Sequence, residues 1–140
     1  MRILLDTSVL LHTAEGNLPK TAENLLTEDG NTAYFSIVNL WEIMIKIMAS
    51  KLDMSYPLES FTNDLLIRGY KLLDVKPAHI YSLPSLSDMH KDPFDRLLVA
   101  QAITEKLLFL TSDSKIAGFK DDHGVRLGFD CSYYRQTSNP

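Results

Sequence analysis

Short apolar runs and helix-patterned segments alternate along this chain, and that alternation restricts its fold more than any other feature. The opening Arg2-Ile3-Leu4-Leu5 is ended by the polar Asp6-Thr7-Ser8 and reads as a short buried strand. Pro19 opens a helical pattern through Ala22, Leu25 and Leu26 that Asp29-Gly30-Asn31 closes, with proline in the first turn and glycine past the end. Residues 32–37, rich in aromatic and β-branched side chains, form a second predicted strand. They pass directly into a segment from Asn39 to Met48 that is apolar nearly all round, the mark of a buried helix. A further helix is expected from Pro57 to Arg68, stopped by Gly69, and a third strand over 70–75. A short helical turn and an irregular loop follow over 77–91. Asp92-Pro93 then opens a strong helix, and strands are expected over 107–110 and 125–129.

Strand and helix in alternation call for an α/β protein: three layers, α/β/α, with a central parallel sheet covered by helices on both faces. A chain of 140 residues, 45% of them hydrophobic and 23% charged, sits in the range of one globular domain. It buries roughly two thirds of its unfolded surface without disulfide or metal staples. The domain is expected over residues 1–130, with a polar, flexible tail over 131–140. The single cysteine, Cys131, suits a reducing compartment. With no run near the ~18 apolar residues of a membrane span and an opening stretch too short for a signal-peptide core, a cytoplasmic protein without membrane attachment is expected. The net charge of -4 excludes coating nucleic acid through bulk electrostatics. It does not exclude a nucleic-acid enzyme, because binding follows the local field, including that of bound cations.

Parallel sheets place ligands beyond the carboxyl ends of their strands, and that rule selects four carboxylates. Asp6 and Asp113 end predicted strands. Asp95 lies in the first turn of the helix opened by Asp92, and Glu42 is the only acid in an otherwise largely apolar helix whose only base is Lys46. Each has an ordinary structural role available. Asp6, Asp92 and Asp113 are suitable helix caps, Asp95 suits the helix dipole, and Glu42 with Lys46 forms an i,i+4 ion pair. Capping does not account for all four falling at the same edge of one sheet.

Carboxylates so close raise one another's pKa, and a hard divalent cation resolves the conflict. Mg²⁺ or Mn²⁺ prefers oxygen ligands and completes its shell with waters and phosphate oxygens, and it activates a water for attack on phosphorus. Phosphodiester hydrolysis is the chemistry implied. Positive partners for the phosphates are available in Arg96 and Lys46, one helical step from the site, with Lys91 and Lys115 flanking it. Arg96 is the foremost, since its planar fork suits phosphate. The dispersed His12, His79, His90 and His123 show no zinc spacing, no glycine-rich phosphate loop occurs, and Ser8 lacks the context of a nucleophile elbow.

These residues resemble those of PIN-domain proteins, and more closely the toxin ribonucleases of VapBC-type (type II) toxin-antitoxin modules. The resemblance covers about residues 1–127. It rests on Leu4-Leu5-Asp6-Thr7-Ser8, on Ser36-Ile37-Val38-Asn39-Leu40-Trp41-Glu42-Ile43, on the stretch from His90 through Asp92-Pro93-Phe94-Asp95-Arg96 to Ala102, and on Leu110-Thr111-Ser112-Asp113. The resemblance implies that Asp6, Glu42, Asp95 and Asp113 form an acidic pocket that binds Mg²⁺ or Mn²⁺ and supports RNA cleavage, with Ser8 and Thr111 lining or bracing it. It also implies a homodimer, held inactive by a cognate antitoxin, that cuts structured RNA. Lys115 departs from members that carry a further acid there, and the tail after Gly128 has no evident counterpart.

Three other readings fit the residues less fully. A DNA-directed or structure-specific nuclease shares the acidic site and would be told apart by matched RNA and DNA hairpins. A catalytically silent interaction module would use the pocket to hold a partner's basic residue. A receiver-type domain would form a stable acyl phosphate.

Overall fold

The computed structural model describes residues 1–86, 92–113 and 129–130. In chain order the elements are β1 (Arg2–Leu5), α1 (Thr7–Glu15), α2 (Lys20–Thr27), β2 (Thr32–Ser36), α3 (Ile37–Met48) and α4 (Leu58–Ile67). They continue with β3 (Lys71–Leu73), α5 (Pro77–Tyr81), a 3-10 turn (Leu83–Leu86), α6 (Pro93–Glu105), β4 (Leu108–Thr111) and β5 (Phe129–Asp130). The strands form one sheet in the order β3-β2-β1-β4-β5, every neighbouring pair parallel. The expected three-layer α/β/α architecture is therefore present.

Alternation along β1 divides the interior into two cores, as the two-residue period of a strand requires. Ile3 and Leu5 pack on one face with Val9, Leu10, Phe35, Ile43, Phe61 and Leu110. Leu4 packs on the other with Leu86, Leu98, Val99 and Phe109. Helices α1, α2 and α4 cover the first face, and the 3-10 turn and α6 the second, with α5 packed against these two. Helix α3 serves both, giving Val38 to one core and Ile43 to the other. Trp41 of α3 meets Phe94 of α6 edge-on, with centroids 4.8 Å apart at 72°. This aromatic contact brings together the two helices that carry Glu42 and Asp95.

Helix α1 has no counterpart in the sequence-based assignment. The consecutive Val9-Leu10-Leu11 lacks a clear 3.6-residue period, and what holds the segment helical is burial of Val9 and Leu10 against one face of the sheet. Both ends are capped: Asp6 accepts from Thr7 N–H at the start, and Gly16 turns out at the finish with φ 71°. The remaining expected elements fall where the sequence places them, within a few residues. Lys91, His90, Lys115, His123 and Cys131 lie outside the described residues. So do positions 125–128 of the last expected strand and the expected tail over 131–140. Among the described residues no helix is long and apolar enough to cross a membrane.

No atom lies within 4 Å of where a Cβ on Gly16 would stand, so the cost of a side chain there is backbone strain alone. Gly16→Ala is expected to destabilise the protein by about 1–2 kcal/mol, and Gly16→Asn by less, because asparagine tolerates the left-handed region. Urea denaturation of the two variants checks the order.

Candidate active site

Parallel pairing brings the carboxyl ends of β1 and β4 side by side, and the chain leaves both strands with an aspartate. Asp6 N–H makes the last rung of that ladder, to Leu110 O at 2.9 Å. Its side chain, only 6% exposed, accepts from Thr7 N–H through Oδ1 (2.7 Å) and from the Thr111 hydroxyl through Oδ2 (2.7 Å). Thr111 is oriented in turn, because Asp113 N–H donates to Thr111 Oγ1 at 3.0 Å and leaves the hydroxyl hydrogen for Asp6. One threonine thus braces Asp6 and ties down the backbone of Asp113.

Glu42 is equally buried at 6% exposure, and both of its oxygens have donors. The Thr7 hydroxyl gives to Oε1 at 2.6 Å and Lys46 Nζ to Oε2 at 2.8 Å. The i,i+4 ion pair anticipated from the sequence is therefore present, but it holds a buried carboxylate at the mouth of the site rather than decorating a solvated stripe. Asp92 caps α6 by accepting from Phe94 and Asp95 N–H, and proline at the first helical position leaves Asp95 in the first turn, half-buried.

These groups feel one another. Asp95 is pushed up to about 7, first by burial and then by the charges of Asp6, Asp92, Glu42 and Asp113. Asp6 is raised as well. Burial is the main cause, the hydrogen bonds from Thr111 and Thr7 oppose it, and Glu42 and Asp113 add to it. Lys46 is raised mainly by its hydrogen bond to Glu42 and feels Asp92 and Asp95 too. The four carboxylates singled out in the sequence therefore share one electrostatic environment at the carboxyl edge of the sheet.

The supporting candidates divide. Thr111 bonds Asp6 directly, whereas Ser8 Oγ meets Ser112 Oγ at 3.1 Å, joining the first turn of α1 to the end of β4 beside the carboxylates. Lys46 reaches the site. Arg96, the foremost phosphate candidate from sequence, sends Nη1 to Leu86 O at 3.1 Å on the 3-10 turn. Sequence reasoning did not single out Thr7 or Asn39, whose side chains connect the β1 end to Glu42. The Ser36-x-x-Asn39 spacing resembles a capping box, a signal for helix entry that says nothing of a reach across to Leu5 and Thr7.

The donor set has the character a hard divalent cation requires: carboxylate oxygens gathered at one sheet edge, with hydroxyl donors fixing the orientation of Asp6 and Glu42. Among the described residues no group of three acidic, histidine or cysteine side chains is spaced as a ready-made cage. Asp6, Glu42, Asp95 and Asp113 are the acids at this edge that could hold a divalent cation.

The raised Asp95 has a signed consequence. Its folded pKa of about 7 lies above the ordinary 3.8, so the folded state holds the extra proton and loses stability as pH rises through that window. In EDTA, melting temperature should fall between pH 5 and pH 8, and Asp95→Asn should flatten the fall by roughly 2–5 °C, a size limited by the group's partial solvent exposure. Added Mn²⁺ should stabilise wild type more at pH 8 than at pH 5. Parallel melting curves for wild type and Asp95→Asn would contradict the charge crowding described.

The sequence model of the PIN domain matches residues 3–121. No curated protein matches the chain in sequence. Among solved structures it is similar to VapBC from Salmonella typhimurium bound to DNA, at 14% identity over 94% of this chain and 98% of that one, with a TM-score of 0.65. It is also similar to VapBC2 from Rickettsia felis bound to a DNA fragment from their promoter (17% identity; 83% and 91%; TM-score 0.62). A toxin-antitoxin complex from Klebsiella pneumoniae is a third (16%; 91% and 98%; TM-score 0.58). At these identities the likeness speaks to the fold, while the sequence model spans most of the chain and includes all four carboxylates: the protein belongs to the PIN domain family.

Proposed function

We propose that this protein is a divalent-metal-dependent endoribonuclease, the toxin of a toxin-antitoxin pair, and that Asp6, Glu42, Asp95 and Asp113 hold Mg²⁺ or Mn²⁺. The observation that carries the reading is the meeting of these acids at one sheet edge, where burial first and then the charges of Asp6, Asp92, Glu42 and Asp113 push Asp95 up to about 7. A bound divalent cation would relieve the repulsion among these acids. Membership of the PIN family supports hydrolytic nuclease chemistry, and the toxin-antitoxin complexes among its structural neighbours support an antitoxin partner.

A bound divalent cation supplies an activated water at neutral pH and stabilises charge developing on the phosphate. The chain's own residues prepare the site. Thr7 N–H and the Thr111 hydroxyl keep Asp6 aimed, and Thr7 with Lys46 does the same for Glu42. Lys46, with 45% of its side chain exposed, also offers a positive group to the substrate phosphate beside the carboxylates. Arg96, which donates from Nη1 to Leu86 O, carries further N–H donors and is a second candidate for that role. The exposed apolar residues Trp41, Met44, Ile45 and Met48 of α3 offer a surface for a second copy or an antitoxin.

The test is cleavage of total bacterial RNA by purified wild type and Asp6→Asn with Mg²⁺, with Mn²⁺ and with EDTA. Discrete fragments should appear with wild type and metal and vanish in both EDTA and Asp6→Asn. Matched RNA and DNA hairpins separate a ribonuclease from a DNA-directed enzyme. Thr111→Val, which removes the brace on Asp6 but keeps the acid, should reduce cleavage about 10–100-fold, the size typical of groups that orient metal ligands. If folded, partner-free wild type cuts no RNA with either metal, the interaction-module reading replaces this one.

A further inference from the structure

Asn39 is completely buried and lies one helical turn before Glu42 on α3. Its amide makes three hydrogen bonds whose directions follow from the partners. Ser36 N–H has only a hydrogen to give, so the atom it meets at 2.6 Å must be the acceptor, Oδ1. The other end is then the NH₂ group, and it donates to Leu5 O at 3.2 Å, which can only accept, and to Thr7 Oγ1 at 2.9 Å. With its oxygen already accepting from Asn39, the Thr7 hydroxyl is directed to donate to Glu42 Oε1 at 2.6 Å. Oε2 already accepts from Lys46, so both oxygens of Glu42 act as acceptors.

The same amide therefore touches both arms of the site. Through Leu5 O it holds the strand end immediately before Asp6, and through Thr7 it sets the orientation of Glu42. We infer that Asn39 is a positioning residue for the acidic site, acting through the Thr7 hydroxyl to hold Glu42 in place against the strand that carries Asp6. The inference rests on the metal-dependent nuclease reading above. Asn39 touches no substrate in this scheme, so its loss lowers kcat and metal affinity and leaves KM for RNA little changed.

The experiment measures kcat and KM for RNA cleavage, and Mn²⁺ affinity by calorimetry. The proteins are wild type, Asn39→Asp, Thr7→Val, Thr7→Ser and the Asn39→Asp/Thr7→Val double variant, each well below its melting temperature. Asn39→Asp keeps the acceptor for Ser36 N–H and loses both donors; Thr7→Val removes the hydroxyl without changing shape. Each should lower kcat about 10–100-fold, with Mn²⁺ binding weakened in step. Thr7→Ser, which retains the hydroxyl, should restore most of the activity. The double variant should be little worse than the poorer single one, because both act on Glu42 through the Thr7 hydroxyl.

Phe61→Leu, a volume loss in the core on the other side of the sheet from α6, controls for stability and should keep kcat. The inference is overturned if the double loss is multiplicative, if Thr7→Ser is as poor as Thr7→Val, or if Phe61→Leu loses as much. Wild type that binds Mn²⁺ but cuts no RNA removes the nuclease reading alone. Calorimetry then decides for Asn39 if its variant weakens Mn²⁺ together with Thr7→Val, and against it if affinity is unchanged. Wild type that neither cuts nor binds Mn²⁺ removes both.

Discussion

Asp6 N–H is bonded to Leu110 O within the sheet while the Asp6 carboxylate accepts from Thr7 at the start of α1 and from Thr111 at the end of β4. One residue therefore ends a strand, opens a helix and locks two strand ends together. At 6% exposure the Asp6 carboxylate has lost most of its hydration, and hydrogen bonds from neighbours in the fold offset part of that loss. Everything else in the site is arranged around that fixed acid. Glu42 reaches it through Thr7, Asp113 through Thr111, and Asp95 through the field the others create.

The acids were legible in the sequence for a definite reason. Strand ends are marked by the switch from apolar to polar residues, and parallel sheets use the carboxyl edge, so Asp6 and Asp113 could be placed together before any coordinates. Asp95 followed from the Asp92-Pro93 start of α6, and Glu42 from being an acid in an apolar helix. Helix α1 was not legible, because its stability comes from burying Val9 and Leu10 rather than from a periodic pattern. Thr7 and Asn39 were invisible for a related reason. Their importance lies in which way a hydroxyl and an amide donate, and that is decided by backbone groups brought in from Leu5 and Ser36. The bond from Arg96 Nη1 to a carbonyl on the 3-10 turn is likewise a contact that no linear spacing reveals.

A second polar chain runs on the other side of Ser36. The Ser36 hydroxyl, accepting from Val38 N–H, donates to Gln101 Oε1 at 2.6 Å, and Gln101 Nε2 donates to Asp74 O. His79, fully buried, accepts from Lys76 N–H through Nδ1 and so presents Nε2–H to Glu105. The interior of this small protein thus holds directional polar contacts that fix how α3, α5 and α6 sit against the sheet, beyond what apolar packing alone specifies.

The strand order carries a consequence for how such a protein is made. The central β1 pairs with β4, and the bond between Thr111 and Asp6 spans 105 positions of sequence. A chain emerging from the ribosome holds Asp6 and Glu42 long before Asp95 and Asp113 exist. The sheet's centre remains open until β4 inserts beside β1, a closure across 105 positions that is intrinsically slow. An incomplete product therefore lacks half of the acids as well as the strand that aligns the rest, so truncation during synthesis leaves a fragment without an assembled site.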